Sequence, residues 1–198
     1  MVLQLTEGVR QYLSDKTIRA GIEDLLSHDE DKSELYLPWD QAREFARAKL
    51  MAEIVRADLI DLLFALWNEV WGPHVGRLGP EFHFDDIKQF SFMPKAIWDD
   101  RHLERKYKLN NGISIDLFVC FDGDTPEFHI YVEFEKNESQ ASHPSQAEGW
   151  EPYEDDDDHL IASKRFSLEY FAENFETCVA RMKQQAAALI DCMAPAPT

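Results

Sequence analysis

The chain has 198 residues, 44% hydrophobic and 12% aromatic, which excludes a disordered polymer and allows one domain with a sizeable core. Its 38 acidic residues against 20 basic ones give a formal charge of −18, which opposes binding to nucleic-acid phosphate or an anionic membrane and favours a basic protein partner. No stretch approaches the roughly 18 uninterrupted apolar residues of a membrane span.

Two short helices are expected first, over residues 6–13 and 15–27. Leu5, Val9 and Leu13, then Ile18, Ile22, Leu25 and Leu26, recur at helical spacing. Ser14 has the chemistry of an N-cap between them. A charged connection, His28 to Glu34, leads to Pro38, which suits the first turn of a helix. That helix should run from Trp39 to about Trp71, with Phe45, Ala52, Leu59, Leu62, Leu63, Leu66, Trp67 and Val70 on one side. At 1.5 Å per residue it would reach about 50 Å, more than a small domain is wide. It should therefore kink, split or extend a free end towards a partner. Gly72-Pro73 stops it.

Between residues 74 and 101, Phe82 and Phe84 alternate, as do Phe90 and Phe92, which suggests one or two short strands that feed aromatics to the core or to a docking patch. From Leu103 to Lys136 the pattern is a three-stranded antiparallel meander. Its turns fall at Asn110-Asn111-Gly112, where glycine tolerates positive φ, and at Asp122-Gly123-Asp124-Thr125-Pro126. Residues 137–160 read as a mobile acidic loop, rich in Ser, Gln and Pro and containing Glu151, Glu154, Asp155, Asp156, Asp157 and Asp158. It lacks the alternating ligands and central glycine of an EF-hand. A C-terminal amphipathic helix over 164–193 should cover one side of the sheet through Leu168, Phe171, Phe175, Cys178, Met182, Leu189 and Cys192, with Gln185 out of step.

The meander's register follows from its apolar sets. Pairing them puts Phe121 opposite Phe128, Leu117 opposite Val132 and Ile115 opposite Phe134, and across the first turn Leu103 opposite Val119 and Tyr107 opposite Ile115. Arg105 is the misfit on that face and should snorkel to its edge. The opposite face then aligns Lys106, Asp116 and Glu133, and also Lys108, Ser114 and Glu135; His129 and Tyr131 continue it opposite Cys120 and Phe118. Opposed carboxylates repel unless something neutralises them. Lys106 would do so, and so would a metal ion.

A strand acid followed by acid-x-acid on the next strand resembles the motif of the PD-(D/E)xK nuclease superfamily. The matching pieces are Ile115-Asp116 and Val132-Glu133-Phe134-Glu135-Lys136. The resemblance implies Asp116, Glu133 and Glu135 as ligands of Mg²⁺, activating water for phosphodiester cleavage; Lys136, the lysine on offer, is one position off the motif and points to the other face. No proline precedes Asp116, and Glu135 stands where the family usually has lysine. The alternative is a solvent-facing ladder of alternating charge without catalysis.

No GxSxG, phosphate-binding glycine loop or HExxH is present, and His83 beside Asp85 and Asp86 reads as a turn. Cys120, Cys178 and Cys192 form neither a CxxC pair nor a zinc spacing and read as core residues of a reducing compartment. No basic leader with an apolar run opens the sequence, so a cytoplasmic protein is expected. The sequence thus predicts a single α+β domain over 1–198, with a helical region (1–73), an antiparallel sheet of three to five strands (80–136), the acidic loop and the C-terminal helix. The expected function is non-enzymatic and needs no cofactor: an acidic protein that masks a basic protein surface stoichiometrically, as an immunity protein or nucleic-acid mimic does. Its binding residues would be Glu151, Glu154 and Asp155 to Asp158. The metal-dependent nuclease is the alternative.

Overall fold

The computed structural model describes residues 3–27, 38–78, 98, 101–108, 114–122, 126–135, 150–153 and 159–193. The helices in order are α1 (Glu7–Ser14), α2 (Lys16–Ser27), α3 (Trp39–Val70), a 3₁₀ helix (Gly72–Arg77), α4 (Leu168–Glu173) and α5 (Phe175–Met193). The strands are β1 (His102–Lys108), β2 (Ser114–Asp122), β3 (Glu127–Glu135), β4 (Glu151–Tyr153) and β5 (His159–Ser167). They form one antiparallel sheet in the order β1-β2-β3-β5-β4. The α+β class stands as expected, with five strands.

Thr6 caps α1 by accepting the Val9 N–H at 3.3 Å. Asp15, rather than the expected Ser14, caps α2: its Oδ1 accepts from Thr17 N at 2.8 Å and Ile18 N at 3.2 Å. A carboxylate at a helix N-terminus also complements the helix dipole. The long helix α3 does not split; its 32 residues are continuous, and Gly72-Pro73 converts its end into the 3₁₀ turn.

The meander register is as read from the apolar alternation. Lys106 pairs with Asp116, Asp116 with Glu133, Leu117 with Val132 and Phe121 with Phe128. The β2–β3 ladder ends at Ile115–Phe134, so the expected Ser114–Glu135 pair is not part of it. Residues 109–113 and 123–125, the two turns, lie outside the described residues, as do Phe82, Phe84, Phe90 and Phe92 of the aromatic segment. Trp98 is described, and it is buried in the core.

Two boundaries differ from expectation. The loop 137–160 is interrupted: residues 151–153 form β4, and β5 begins at His159. The C-terminal helix does not start at Lys164, because residues 164–167 complete β5, pairing with Ile130, His129, Phe128 and Glu127. Ser167 then caps α4 by accepting from Tyr170 N at 3.2 Å, and the chain breaks at Asn174 before α5. Within α5, Ala186 rather than Gln185 carries the buried stripe, so the spacing Met182, Ala186, Leu189, Ile190 is regular.

All described helices lie on the apolar side of the sheet. Phe171 of α4 stacks on Phe128 of β3 with ring centroids 4.0 Å apart. Trp67 and Trp71 of α3 donate their indole N–H groups to the carbonyls of Leu117 at 3.2 Å and Phe118 at 3.1 Å, so both buried indoles keep a partner. Arg105 does not merely reach for the edge: its guanidinium lies 4.4 Å from the Trp67 ring centre, a cation–π contact that lets an arginine occupy the core face. Helix α5 is tied to α3 and to the 3₁₀ turn by Lys183–Glu69 at 2.8 Å and Arg77–Asp191 at 2.6 Å. Among the described residues, no helix is long and apolar enough to cross a membrane.

Candidate functional site

The sheet face turned away from the helices carries the carboxylates singled out by the sequence. Alternation along β1, β2 and β3 places Glu104, Lys106, Asp116 and Glu133 there, and the register brings Lys106, Asp116 and Glu133 into one row across three strands. Lys106 Nζ lies 2.9 Å from Glu104 Oε1 and forms a shorter ion pair with Asp116 Oδ2. The lysine thus joins two acids of the row.

The row is not the solvent-facing ladder expected. Asp116 is only 9% exposed, and Phe118, Cys120 and Ser163 on the same face are also buried. Burial pushes the Asp116 carboxyl up to about 6; Lys106 opposes that rise, and Glu104 and Glu133 add to it. Burial pulls Lys106 down, but its hydrogen bonds to Asp116 and Glu104 outweigh that and hold the ammonium above its ordinary range.

Beyond this row the same face turns aromatic. Phe118 and Tyr131 stack at 4.0 Å, His102 meets Phe118 edge-on at 5.6 Å, and His129 meets Tyr131 at 5.5 Å. Burial raises the Tyr131 phenol well above its ordinary value. Arg165 and Ser163, supplied by the strand that sequence reading did not assign, complete the face: Arg165 pairs with Glu127 at 3.3 Å and donates to Ser163 Oγ at 3.2 Å. Their sequence signal is faint, because Ala162 and Lys164 interrupt the apolar alternation of this strand.

The chemistry this arrangement allows is narrow. A Mg²⁺ site needs several oxygen ligands converging on one point. Among the described residues, no group of three or more His, Cys, Asp or Glu side chains does so, and the ammonium of Lys106 occupies the position of a cation beside Asp116. Glu135 is placed only as a backbone position of β3, and Lys136 lies outside the described residues. Thiol chemistry finds no activated cysteine at Cys178, whose thiol burial pushes up to about 11.

Of the acidic set, Glu151 alone is among the described residues, and it falls at the sheet's edge. Glu151 belongs to β4, where it pairs with Ser163 of β5. Glu154, Asp155, Asp156, Asp157 and Asp158 lie outside the described residues, in the connection between these two paired strands. No protein-family model matches the chain, and no curated protein and no solved structure matches it either.

Proposed function

We propose that the protein is a non-enzymatic acidic binding protein that acts stoichiometrically by covering a basic protein surface, in the manner of an immunity protein or a nucleic-acid mimic. One observation supports this above the others. Glu154 to Asp158 are consecutive carboxylates in the sequence between β4 and β5, two strands that pair at the sheet's edge. Five consecutive carboxylates in a chain of charge −18 are a combination that accelerates encounter with a cationic partner. Direct binding to nucleic acid is disfavoured by the same charge.

The test is capture from the basic protein fraction of a cell extract at low salt, followed by mass spectrometry. Wild type is compared with a chain in which Glu151, Glu154 and Asp155 to Asp158 are reversed to lysine. The wild type should retain a discrete basic protein that the reversed chain loses. Equal capture by both would remove the acidic edge as the binding surface.

A second reading, the Mg²⁺-dependent nuclease with Asp116, Glu133, Glu135 and Lys136, draws on the direct opposition of Asp116 and Glu133. Calorimetry with Mg²⁺ or Mn²⁺ on wild type and Asp116→Asn, with a plasmid-cleavage assay, decides it. No heat and no cleavage would discard it.

A further inference from the structure

The first half of α3 leaves the body of the protein. From Trp39 to Met51 the described side chains are exposed or half-exposed, and the buried stripe begins only at Ala52 and Val55. Yet this arm displays Trp39 at 83% exposure, Leu50 at 62%, Met51 at 58% and Ile54 at 44%. Together they present about 500 Å² of apolar surface, the size of the largest patch on an ordinary monomer. Nothing in helix propensity requires tryptophan, leucine and isoleucine there; an arm that served only as a spacer would be polar.

The arrangement of charge along the arm identifies its partner. At 100° per residue, Trp39, Arg43, Arg47, Leu50 and Ile54 share one sector about 100° wide. Asp58 and Asp61 continue the same sector towards the C-terminal half of α3. The stripe therefore reads, from N to C, aromatic, two cations, two aliphatics, two carboxylates. Such a stripe is its own complement when turned end for end. An antiparallel pairing about a twofold axis near Ala52 sets Arg43 opposite Asp61, Leu50 opposite Ile54, and Arg47 opposite Ala57 beside Asp58. The same pairing sets Trp39 opposite Ala65.

That last position is a receptacle. A groove of about 230 Å³ lies between α3 and the segment Leu3–Thr6, lined by Leu3, Leu5, Val9, Leu62 and Ala65, with Asp58 and Asp61 at its side. An indole entering it would meet apolar walls, and the arginines that accompany it would meet the two carboxylates. Arg43 and Arg47 are both exposed and share one local carboxylate, Glu44, at 3.5 and 2.9 Å. One acid between two guanidinium groups leaves positive charge for a partner. Across the paired span 39–65 four basic residues stand against five acidic ones, close to balance in a chain of charge −18, so two copies meet where mutual repulsion is weak.

We infer that the protein forms an isologous dimer in which the α3 arms of two copies lie antiparallel and each Trp39 enters the groove between α3 and Leu3–Thr6 of the other copy. Trp39, Leu50 and Ile54 of both copies together contribute about 800 Å² of buried surface. With the charged flanks this reaches the roughly 1,200 Å² at which stable interfaces begin.

Sedimentation velocity on the full chain between roughly 1 and 100 μM tests this, since an interface of this size associates in or below that range. The expected mass is twice the 23.0 kDa of one chain. Arg43→Asp and Asp61→Arg should each weaken the dimer about tenfold or more by opposing like charges. The double variant Arg43→Asp/Asp61→Arg should return towards wild type, because the twofold axis recreates both pairs with their signs exchanged. Trp39→Ala should weaken it as well. All three positions are exposed, so unchanged far-UV circular dichroism shows that each of the four variants folds. A single-chain mass across the whole range overturns the inference. So does a dimer that both single reversals leave unchanged, or one that the double variant fails to restore.

Discussion

Replacing Asp116 by Asn should make the protein more stable at neutral pH, against the usual expectation for breaking an ion pair. The folded state holds the Asp116 carboxyl at about 6 rather than its ordinary 3.8. Because the folded pKa is the higher one, the folded state binds more protons than the unfolded state between those values, and stability falls as pH rises through the window. Integrated over the interval, ionising Asp116 costs about 3 kcal/mol that is charged in full above pH 6. Asparagine copies the shape of the neutral acid and escapes that cost. The variant should therefore gain up to about 3 kcal/mol at pH 8, a rise in Tm of about 6–12 °C for a chain of this size. The gain should shrink as pH is lowered through 6 and vanish below 3.8. Urea denaturation of both proteins from pH 4 to pH 8 measures this directly. An Asn variant less stable than wild type at pH 8, or a gap that does not narrow in acid, would show that Lys106 more than repays the burial of Asp116.

Other consequences are simpler to check by thermal or urea unfolding. Lys106→Met leaves Asp116 buried without its counter-charge and should cost about 3 kcal/mol or more at pH 8, with a smaller loss at pH 5 where the acid can protonate. A Cβ at Gly8 would sit 2.9 Å from Val55 Cγ2, whereas one at Gly21 would meet nothing within 4 Å. Gly8→Ala should thus destabilise by about 1–3 kcal/mol through overpacking, while Gly21→Ala in the exposed interior of α2 should stabilise by up to about 1 kcal/mol. Arg101 adopts φ 59° and stacks its guanidinium 3.7 Å from the Trp98 ring centre. Arg101→Ala loses the stack and keeps the unfavourable backbone, so Arg101→Gly should be the more stable of the two by about 1 kcal/mol. Trp67→Phe, which removes the bond to Leu117 O and leaves a void, should cost about 1–3 kcal/mol.

Where the sequence carried two agreeing signals, the register was legible up to the end of the β2–β3 ladder, where Ser114 and Glu135 do not pair. The meander combined strict apolar alternation with turn residues, and that fixed the Lys106–Asp116–Glu133 row. Strand β5 carried only one signal. Its core-facing positions include Lys164, opposite Ile130, and small Ala162, opposite Val132, so alternation faded while the helical spacing beginning at Leu168 extended backwards over it. Strand β4 has three residues and a central Pro152, which reads as loop. Gln185 looked like a flaw in the last helix because its neighbour Ala186 is small; its backbone carbonyl instead receives the Trp150 indole at 3.0 Å. The placement of Asp116 on the outer face was readable, but its burial was not, because alternation assigns a side and says nothing of how closely that side is packed.

The contact between α1 and α4 bears on how the chain can be made. Arg10 Nη1 donates to the carbonyl of Ala172, 162 residues later, and Tyr12 packs edge-on against Phe121 at 6.2 Å. Helix α1 leaves the ribosome well ahead of β5 and α4, yet its seat is completed only when both have followed. During synthesis Val9, Tyr12 and Leu13, all buried in the finished protein, have no completed core to enter. A topology closed by such distant partners folds slowly and exposes its apolar helices while it waits. Expression at lower temperature, or with holding chaperones in excess, should therefore raise the soluble yield more than any change to codons in the C-terminal half.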